Sequence, residues 1–180
     1  TYVAKSVALG ASGFLLKGAT RDELLNVFRK VVNGTGGEEL LTSLPNEGGQ
    51  AYDWSRDGKY ILYAANTGTA LRDLFALPVE GDRKPIPIVQ SPYRDDQGKF
   101  SPDGRLVAYK SNESGRDEVY VQPFPPSGKN ERWMVSRNGG TQPRWSRDGK
   151  ELFYLEGSKL MSASVQLSPV FQAGLPKMLF

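Results

Sequence analysis

The fold of this 180-residue chain depends on one stretch of sequence, Phe100-Ser101-Pro102-Asp103-Gly104-Arg105-Leu106-Val107-Ala108-Tyr109. An Asp-Gly pair between apolar runs is the strongest short-range signal for a β-hairpin, because both residues tolerate the positive φ of a tight turn. An aromatic residue precedes the turn, and the apolar run after it is continuous, as is typical of a strand buried on both faces. The stretch therefore predicts two antiparallel strands, the second of them inside the core.

The same pattern occurs three times along the chain. The other two copies run from Asp53 to Tyr63 and from Arg144 to Tyr154, and all three align without gaps at their centres. Their Asp-Gly pairs, at 57, 103 and 148, are 46 and 45 residues apart. Four-stranded propeller blades repeat at roughly 40–50 residues. We therefore predict a mainly β fold, with three four-stranded antiparallel blades of a partial β-propeller.

Each repeat also contains candidates for two outer strands. Third strands are predicted at Leu74 to Leu77, Val119 to Val121 and Leu160 to Ala163, and outermost strands at Ile86 to Val89 and Arg132 to Val135. Pro78 and Pro123 end two of the third strands, where an N–H donor to the ladder can be spared. These strands predict blades at about residues 48–91, 92–137 and 138–180, within a propeller region of residues 37–180.

Residues 1–36 show helix periodicity instead. Tyr2 to Leu9 is predicted to be a helix, and Gly13 to Lys17 a short buried strand. Thr20 and Glu23 form a capping box at the start of a second helix, which ends at Asn33-Gly34. Its apolar stripe comprises Leu24, Leu25, Phe28, Val31 and Val32. The front of the chain is therefore predicted to be a helix-strand-helix segment.

Composition excludes several classes of function. The chain has no Cys and no His, which removes disulfides, thiolate chemistry, the usual general base and the commonest metal ligand. Its 23 basic and 20 acidic residues give a net charge of +3 and are scattered, which argues against nucleic-acid binding. No apolar run approaches the ~18 residues of a membrane-spanning helix. We therefore expect no catalytic residues, no cofactor, no metal, no nucleic acid and no membrane span.

The repeated polar residues are expected to be structural. A metal or acid–base role for the aspartates is disfavoured because each serves the same turn of a different blade. These structural turn residues are Asp57, Gly58, Asp103, Gly104, Asp148 and Gly149. The repeated serines at 55, 101 and 146 lack any predicted neighbouring base, so a nucleophilic role is disfavoured too.

Aromatic and acidic residues outside the turns leave fewer constraints. Trp54 and Trp145 recur at one repeat position and are expected to build the core, whereas Trp133 could make a surface contact with a partner. Glu113, Asp117 and Glu118 form an acidic loop without the spacing of a calcium loop, so a solvated face is expected there.

The repeated region resembles the TolB-type, WD-like β-propellers of bacteria. The resemblance rests on Phe100 to Tyr109 followed by Ser111-Asn112-Glu113-Ser114-Gly115. It is closest to propellers fused to bacterial serine/threonine protein kinases, through Glu118 to Pro125 and Gly139 to Trp145. The family implies a scaffold that contacts proteins or small ligands and has no active site of its own.

The first segment resembles the C-terminal part of a response-regulator receiver domain. The carrying residues are Ala8 to Lys17 and Glu23-Leu24-Leu25. In that family a lysine after the last strand contacts the phosphorylated aspartate, and Lys17 occupies that position. Glu38 to Ser43, in contrast, looks like the outer strand of a preceding blade.

The sequence therefore predicts a non-catalytic module that binds a protein or a small ligand, as a sensor or scaffold. The alternative is a fragment of a signalling enzyme, a receiver–kinase or peptidase system, whose catalytic part lies elsewhere. Three blades leave two open flanks, so two copies could close a six-bladed ring as a homodimer. The receiver resemblance implies the cytoplasm, whereas the TolB resemblance implies a place outside the inner membrane.

Overall fold

The computed structural model describes residues 27–31, 38–43, 49–67, 72–129, 131–167 and 170–180. Strands are the regular elements of these ranges, and no helix occurs within them. Consequently no helix in the described ranges is long and apolar enough to cross a membrane. The predicted helix at Tyr2 to Leu9, the predicted strand at Gly13 to Lys17 and Lys17 itself lie outside the described residues.

The prediction of a helix up to Asn33 is wrong for its second half. Val27–Val31 is strand β1, and it pairs in antiparallel fashion with β2, Glu38–Ser43. Phe28 and Val31 belong to the predicted helical stripe, but aromatic and β-branched residues also favour a pleated strand when a partner strand is available. The strand predicted at Glu38 to Ser43 is confirmed.

Three antiparallel sheets follow, one for each predicted blade. The first contains β3 (Gln50–Trp54), β4 (Tyr60–Ala65), β5 (Asp73–Pro78) and β6 (Ile86–Val89) in that spatial order. The second contains β7 (Asp95–Phe100), β8 (Leu106–Ser111), β9 (Glu118–Pro123) and β10 (Trp133–Met134). The third contains β11 (Thr141–Trp145), β12 (Glu151–Glu156), β13 (Lys159–Gln166), β14 (Gln172–Ala173) and β15 (Lys177–Met178).

The third blade departs from the predicted four strands. Its outer edge is divided into β14 and β15, and both pair with β13. Leu175 and Pro176 lie between the two short strands, and proline cannot donate an N–H to the ladder. The edge therefore breaks at this point and resumes at Lys177.

The core lies between the blades, and β8 shows why its apolar run is continuous. Every residue of β8 is buried. Val107 and Tyr109 pack into a cluster with the first blade, whereas Leu106 and Ala108 pack into a cluster with the third. The central strand of the middle blade is thus buried on both faces, as predicted.

Each innermost strand carries an irregularity at the same repeat position. The register shifts between Ala51 and Asp53 in β3, between Asp96 and Lys99 in β7, and between Thr141 and Arg144 in β11. Gln97 and Gln142 occupy equivalent positions in the last two bulges, with φ of 59° and 54°. The bulges bend the inner strands, as β-bulges generally do.

Candidate functional site

The three Asp-Gly turns are built by one repeated hydrogen-bond pattern. In the second blade Ser101 Oγ donates to Asp103 Oδ1 at 2.6 Å and accepts from Leu106 N at 3.0 Å. Asp103 Oδ1 also accepts from Arg105 N at 3.2 Å. The corresponding bonds in the other two turns have lengths of 2.7–3.1 Å. Asp57, Asp103 and Asp148 are thus held separately, each inside its own turn.

Asp and Gly both tolerate the positive φ of a tight turn, but in these turns only one of the two adopts it. Only the glycines have positive φ, of 76° at Gly58, 71° at Gly104 and 72° at Gly149. The preceding aspartate instead uses its side chain to accept from the backbone, as in an Asx-type turn. Hydrogen bonds from Ser55 and the Lys59 N–H lower the pKa of the Asp57 carboxyl below its usual range.

The repeated aromatic position differs in burial among the three blades. Phe100 is 7% exposed and packs on the first blade. The Trp145 ring packs between the second and third blades, and its Nε1 donates to Lys99 O at 3.1 Å. Trp54 is 40% exposed, and its Nε1 donates to Gly58 O within the same turn. The expectation that Trp54 builds the core is therefore wrong.

Trp133 does not stand free on the surface. It is half-buried and packs against the core cluster between the second and third blades. Its ring centroid lies 5.2 Å from that of Phe171, which is 3% exposed. A contact between Trp133 and a partner stays a prediction, restricted to the edge of the ring that remains accessible.

Buried charged residues concentrate at one end of the blades, which we call the loop end. The loop end contains the β4–β5 and β8–β9 connections and the crossovers from one blade to the next. The opposite end, which contains the Asp-Gly turns, is called the turn end. The buried charged residues that begin or end strands at the loop end are Asp73, Asp95, Asp96, Lys110 and Glu118.

Two of these carboxylates fasten the crossovers between blades. Asp73 begins β5, and its Oδ1 accepts from Ser91 N at 3.3 Å in the crossover to the second blade. Glu118 begins β9 and accepts from Gly139 N at 3.0 Å and from the Ser136 hydroxyl in the crossover to the third. Both are almost fully buried, at 3% and 1% exposed. These positions are equivalent, so one anchoring device serves both crossovers.

A third buried carboxylate, at the inner edge of the blades, forms ion pairs with three cationic side chains. Asp96 is 1% exposed, and its Oδ2 accepts from Arg94 Nε at 3.0 Å. Arg72 Nη1 lies 3.9 Å from the same oxygen. Lys110 Nζ lies 3.2 Å from Asp96 Oδ1 and 3.2 Å from Asp117 Oδ2. We call Arg72, Arg94, Asp96 and Lys110 the arginine–aspartate cluster.

The neighbouring Asp95 is buried, and no cation of the described residues forms an ion pair with it. Its Oδ2 accepts from Ser91 Oγ at 2.5 Å. Burial raises the pKa of the Asp95 carboxyl, against the opposing effect of hydrogen bonds from Ser111 and Ser91. Burial likewise raises the pKa of the nearby Tyr109 hydroxyl, and the Asp95 charge acts in the same direction. This part of the loop end favours neutral side chains.

The acidic loop is not the solvated face that its sequence suggested. Glu118 is buried, Asp117 pairs with Lys110, and Glu113 lies 2.8 Å from Arg132 Nη1. Within the described ranges no group of three His, Cys, Asp or Glu side chains could hold a metal ion. The carboxylates of this loop are therefore occupied by cations of the chain itself.

A shallow groove of about 160 Å³ lies between the outer edges of the first two blades. Its lining includes Ile88, Gln122, Pro126 and Arg132. Gln122 Nε2 donates to Ile88 O at 2.7 Å and so joins the two blades beneath the groove. The titratable residues in its lining are Lys129, Glu131 and Arg132.

Sequence reasoning missed the arginine–aspartate cluster, although a signal for it exists. Arginine stands directly before acidic residues at the starts of three strands, in Arg72-Asp73, Arg94-Asp95-Asp96 and Arg116-Asp117-Glu118. The strand starts of adjacent blades meet at one end of a propeller, which brings such pairs together. A search for polar residues at strand ends, instead of repeated residues at turns, would have found them.

No family model matches the chain. An uncharacterized protein of Agrobacterium fabrum is 32% identical over 109 residues, which is 58% of this chain and 34% of that protein. Among solved structures, a protein assigned as TolB from Agrobacterium tumefaciens has a TM-score of 0.62 at 18% identity, covering 82% of this chain and 54% of that one. TolB from Acinetobacter baumannii has a TM-score of 0.61 at 18% identity, covering 88% and 41%. Puromycin hydrolase has 0.51 at 10% identity, covering 78% and 30%.

The chain thus spans about a third to a half of the length of these proteins. Identities of 18% and below establish a shared fold, not a shared activity. The fusion to a kinase and the receiver-like segment stay predictions from the sequence. Three consecutive four- to five-stranded antiparallel sheets and the two TolB neighbours lead to one conclusion: the described part of this chain has the fold of a TolB-type β-propeller.

Proposed function

We propose that this chain is a non-catalytic module of a bacterial signalling or envelope protein, and that it binds a protein or a small ligand. The observation that carries the proposal is that the repeated serine and aspartate side chains bond to each other and to the backbone of their own turns. Each serine hydroxyl at positions 55, 101 and 146 donates to its turn aspartate and accepts from a backbone N–H. A hydroxyl in that arrangement stabilises its turn. The aspartate that accepts from it is a weak base, because hydrogen bonds hold the pKa of all three carboxyls below the usual range, at Asp103 against the opposing effect of burial.

The loop end supports binding in a second way. Its carboxylates fix the crossovers and the positions of charged side chains, so polar groups are held rigidly at one end of the scaffold. Rigid placement of a few polar groups is what binding sites require, because it reduces the entropy lost when a ligand binds.

Turnover measurements test the proposal. The purified chain is incubated with p-nitrophenyl acetate, p-nitrophenyl phosphate and alanine p-nitroanilide, before and after a second, unrelated purification step. We expect rates equal to those of buffer after the second step. A rate that persists at constant specific activity, and that a point substitution in the chain abolishes, would overturn the proposal.

The second candidate is a fragment of a signalling or hydrolytic enzyme whose catalytic part lies in other residues of a longer protein. The similarity in fold to puromycin hydrolase favours it, since this chain matches 30% of that protein. In that case the propeller would control access to a separate active site. Adding the chain to a separately produced catalytic domain from the same reading frame would then change its KM for peptide p-nitroanilides.

A further inference from the structure

Two guanidinium groups share one buried carboxylate at the inner edge of the first two blades. Arg94 donates through Nε to Asp96, and Arg72 lies within ion-pair distance of the same oxygen. The Arg72 side chain is 20% exposed and that of Arg94 is 48% exposed, whereas Asp96 is buried. An arginine has five N–H donors, so each of these guanidinium groups keeps donors that Asp96 does not occupy.

Hydrogen bonds to neighbouring strands and loops fix the positions of both arginines. Arg72 Nη1 donates to Tyr52 OH at 3.0 Å and to Gln50 Oε1 at 3.3 Å. The backbone N–H of Arg94 donates to Asn112 Oδ1 at 2.8 Å. These contacts reach from β3 and the β8–β9 connection, so two blades fix one pair of guanidinium groups.

The attraction for an anion comes from unoccupied N–H donors and not from a net charge. Among the direct ion pairs, Arg72, Arg94 and Lys110 meet the carboxylates of Asp96 and Asp117. The buried carboxylates of Asp73 and Asp95 stand next to the two arginines in the chain, and both accept hydrogen bonds from Ser91. The outer N–H groups of Arg72 and Arg94 therefore remain the groups to which a ligand anion can bind.

The acceptors around the arginines are occupied or buried. Asp96 Oδ2, Tyr52 OH and Gln50 Oε1 receive N–H groups of Arg72 or Arg94. The remaining carboxylate oxygens, Asp95 Oδ1 and Asp96 Oδ1, are buried away from solvent. Gln97 Oε1 in the next bulge accepts from the backbone N–H of Gln142 at 2.7 Å. The amide NH2 groups of these glutamines therefore add donors near the inner edge.

We propose that the loop end binds a carboxylate of a peptide on Arg72 and Arg94. The carboxylate is the planar monoanion whose two oxygens fit the fork of a guanidinium group. It belongs to an acidic side chain or to a free C-terminus, since both present the same group. The inference rests on the proposed binding function and names its ligand class.

Arginine side-chain NMR tests the site directly. The whole chain, labelled with 15N-arginine, is titrated with acetyl-Gly-Glu-Gly-amide, with acetyl-Gly-Gly-Gly bearing a free C-terminus, and with neutral acetyl-Gly-Gln-Gly-amide. We expect saturable shifts of the Nε–Hε signals of Arg72 and Arg94 with one or both acidic peptides, and none with the neutral one. The peptide that gives the lower Kd identifies the source of the carboxylate.

Substitutions separate binding from general charge effects. Arg94→Gln is expected to raise the Kd about tenfold, as the loss of one charge-assisted contact implies. Arg94→Lys keeps the positive charge but loses the forked pair of donors, so its Kd should lie between those of the parent chain and Arg94→Gln. Arg105→Gln is the matched control, because Arg105 pairs with Asp103 at 2.7 Å at the opposite turn end. We expect this control to leave the Kd unchanged.

Three results would overturn the site: shifts at Arg105 as large as those at Arg72 and Arg94, equal shifts with the neutral peptide, or an unchanged Kd in Arg94→Gln. An unfolded Arg94→Gln variant would be recognised by its amide spectrum, and Arg94→Lys then decides. If any of these three results is found and the chain shows no turnover, the carboxylate site is contradicted but the proposed binding function is not. Turnover that a point substitution abolishes would remove the binding-only function, whatever the peptides do.

Discussion

Each Asp-Gly turn depends on the serine two residues before the aspartate. Ser101 is 2% exposed, and its hydroxyl donates to the Asp103 carboxylate and accepts from the Leu106 N–H. Its backbone N–H donates to Leu106 O, and its carbonyl accepts from the Gly104 N–H. Removing its hydroxyl leaves a buried backbone N–H without this acceptor, which generally costs more than the bond itself contributes.

Ser101→Ala is expected to lower the free energy of unfolding by about 1–3 kcal/mol, measured by urea denaturation. The matched control is Ser127→Ala, because Ser127 is exposed and its hydroxyl makes two long contacts, both with the backbone of Lys129, at 3.3 and 3.4 Å. We expect the control to change stability by less than about 0.5 kcal/mol. Equal effects of the two substitutions would show that the hydroxyl of Ser101 does not support the turn.

Asp95 predicts a pH dependence of opposite sign to that of the turn aspartates. Burial raises its folded pKa above the ordinary 3.8, so the folded state binds this proton more tightly than the unfolded state. The resulting stabilisation is present below the unfolded pKa and is lost as the pH rises through the folded pKa. Asp95→Asn removes that loss.

Urea midpoints between about pH 4 and pH 7 check the prediction, because this range covers a carboxyl whose pKa is raised. Asp95→Asn should gain stability relative to the parent chain as the pH increases. Asp117→Asn is the control, since Asp117 lies at the same end but its side chain is 43% exposed. A constant difference between Asp95→Asn and the parent over this range would contradict the raised pKa.

The strands of adjacent blades meet closely at the inner edge, and β7 requires a glycine to achieve this. A Cβ atom at Gly98 would lie 2.6 Å from Leu62 Cδ2 and 3.0 Å from both Cδ atoms of Leu74. Both leucines are fully buried in the cluster between the first two blades. The absence of a side chain at Gly98 therefore sets how closely β7 approaches β4 and β5.

Gly98→Ala is expected to destabilise the chain by about 1–3 kcal/mol through overpacking. Leu62→Val removes bulk at the point of closest approach, so the loss caused by Gly98→Ala should be smaller in that background. A double-mutant cycle with urea denaturation measures the coupling between the two sites. An identical loss in both backgrounds would show that the clash is absorbed elsewhere.

The two flanks of the three-blade unit differ. On the flank that faces away from the second blade, Ile61, Tyr63 and Ala65 of β4 are buried, and Trp54 is exposed. On the opposite flank, Phe153 of β12 is half-buried, although Leu62 and Ala108 at the same repeat position are 0% exposed. The outward face of the third blade is therefore partly exposed, whereas the equivalent faces of the first two blades are covered by the next blade.

We expect this surface to support self-association, as the predicted ring-closing homodimer requires. The contact would place Trp54 of one copy against the third blade of the other, as Phe100 and Trp145 lie against the blades before them. Size-exclusion chromatography with light scattering should then give about twice the 19.8 kDa of one chain. Phe153→Asp should return the mass to that of a monomer.

Tyr93→Asp is the control for that measurement, because Tyr93 is an aromatic residue exposed to 41% at the loop end, away from the flank. It should leave the mass unchanged. A parent chain that elutes as a monomer at all concentrations would contradict self-association through the third blade. It would leave the fold and the loop-end site unaffected.

The sequence by itself determined the repeat, and through it the blades. Asp-Gly pairs at a constant period, aromatic residues before them and apolar runs after them are local patterns, and local patterns determine strand and turn. Every second and third strand of the three blades could be predicted for that reason. The front segment could not, because Phe28 and Val31 suit either a helical stripe or a strand, and pairing with β2 selected the strand.

Only the tertiary structure decided the candidate site. The sequence marks arginine and aspartate at the strand starts, but Arg72 and Lys110 are distant in the chain from Asp96, and only the packing of two blades shows that they share its carboxylate. The same is true of exposure: Trp54, Phe100 and Trp145 are equivalent in sequence but differ in burial. Charge pairing and burial arise from neighbours distant in the chain, and the packing of blades alone brings those neighbours together.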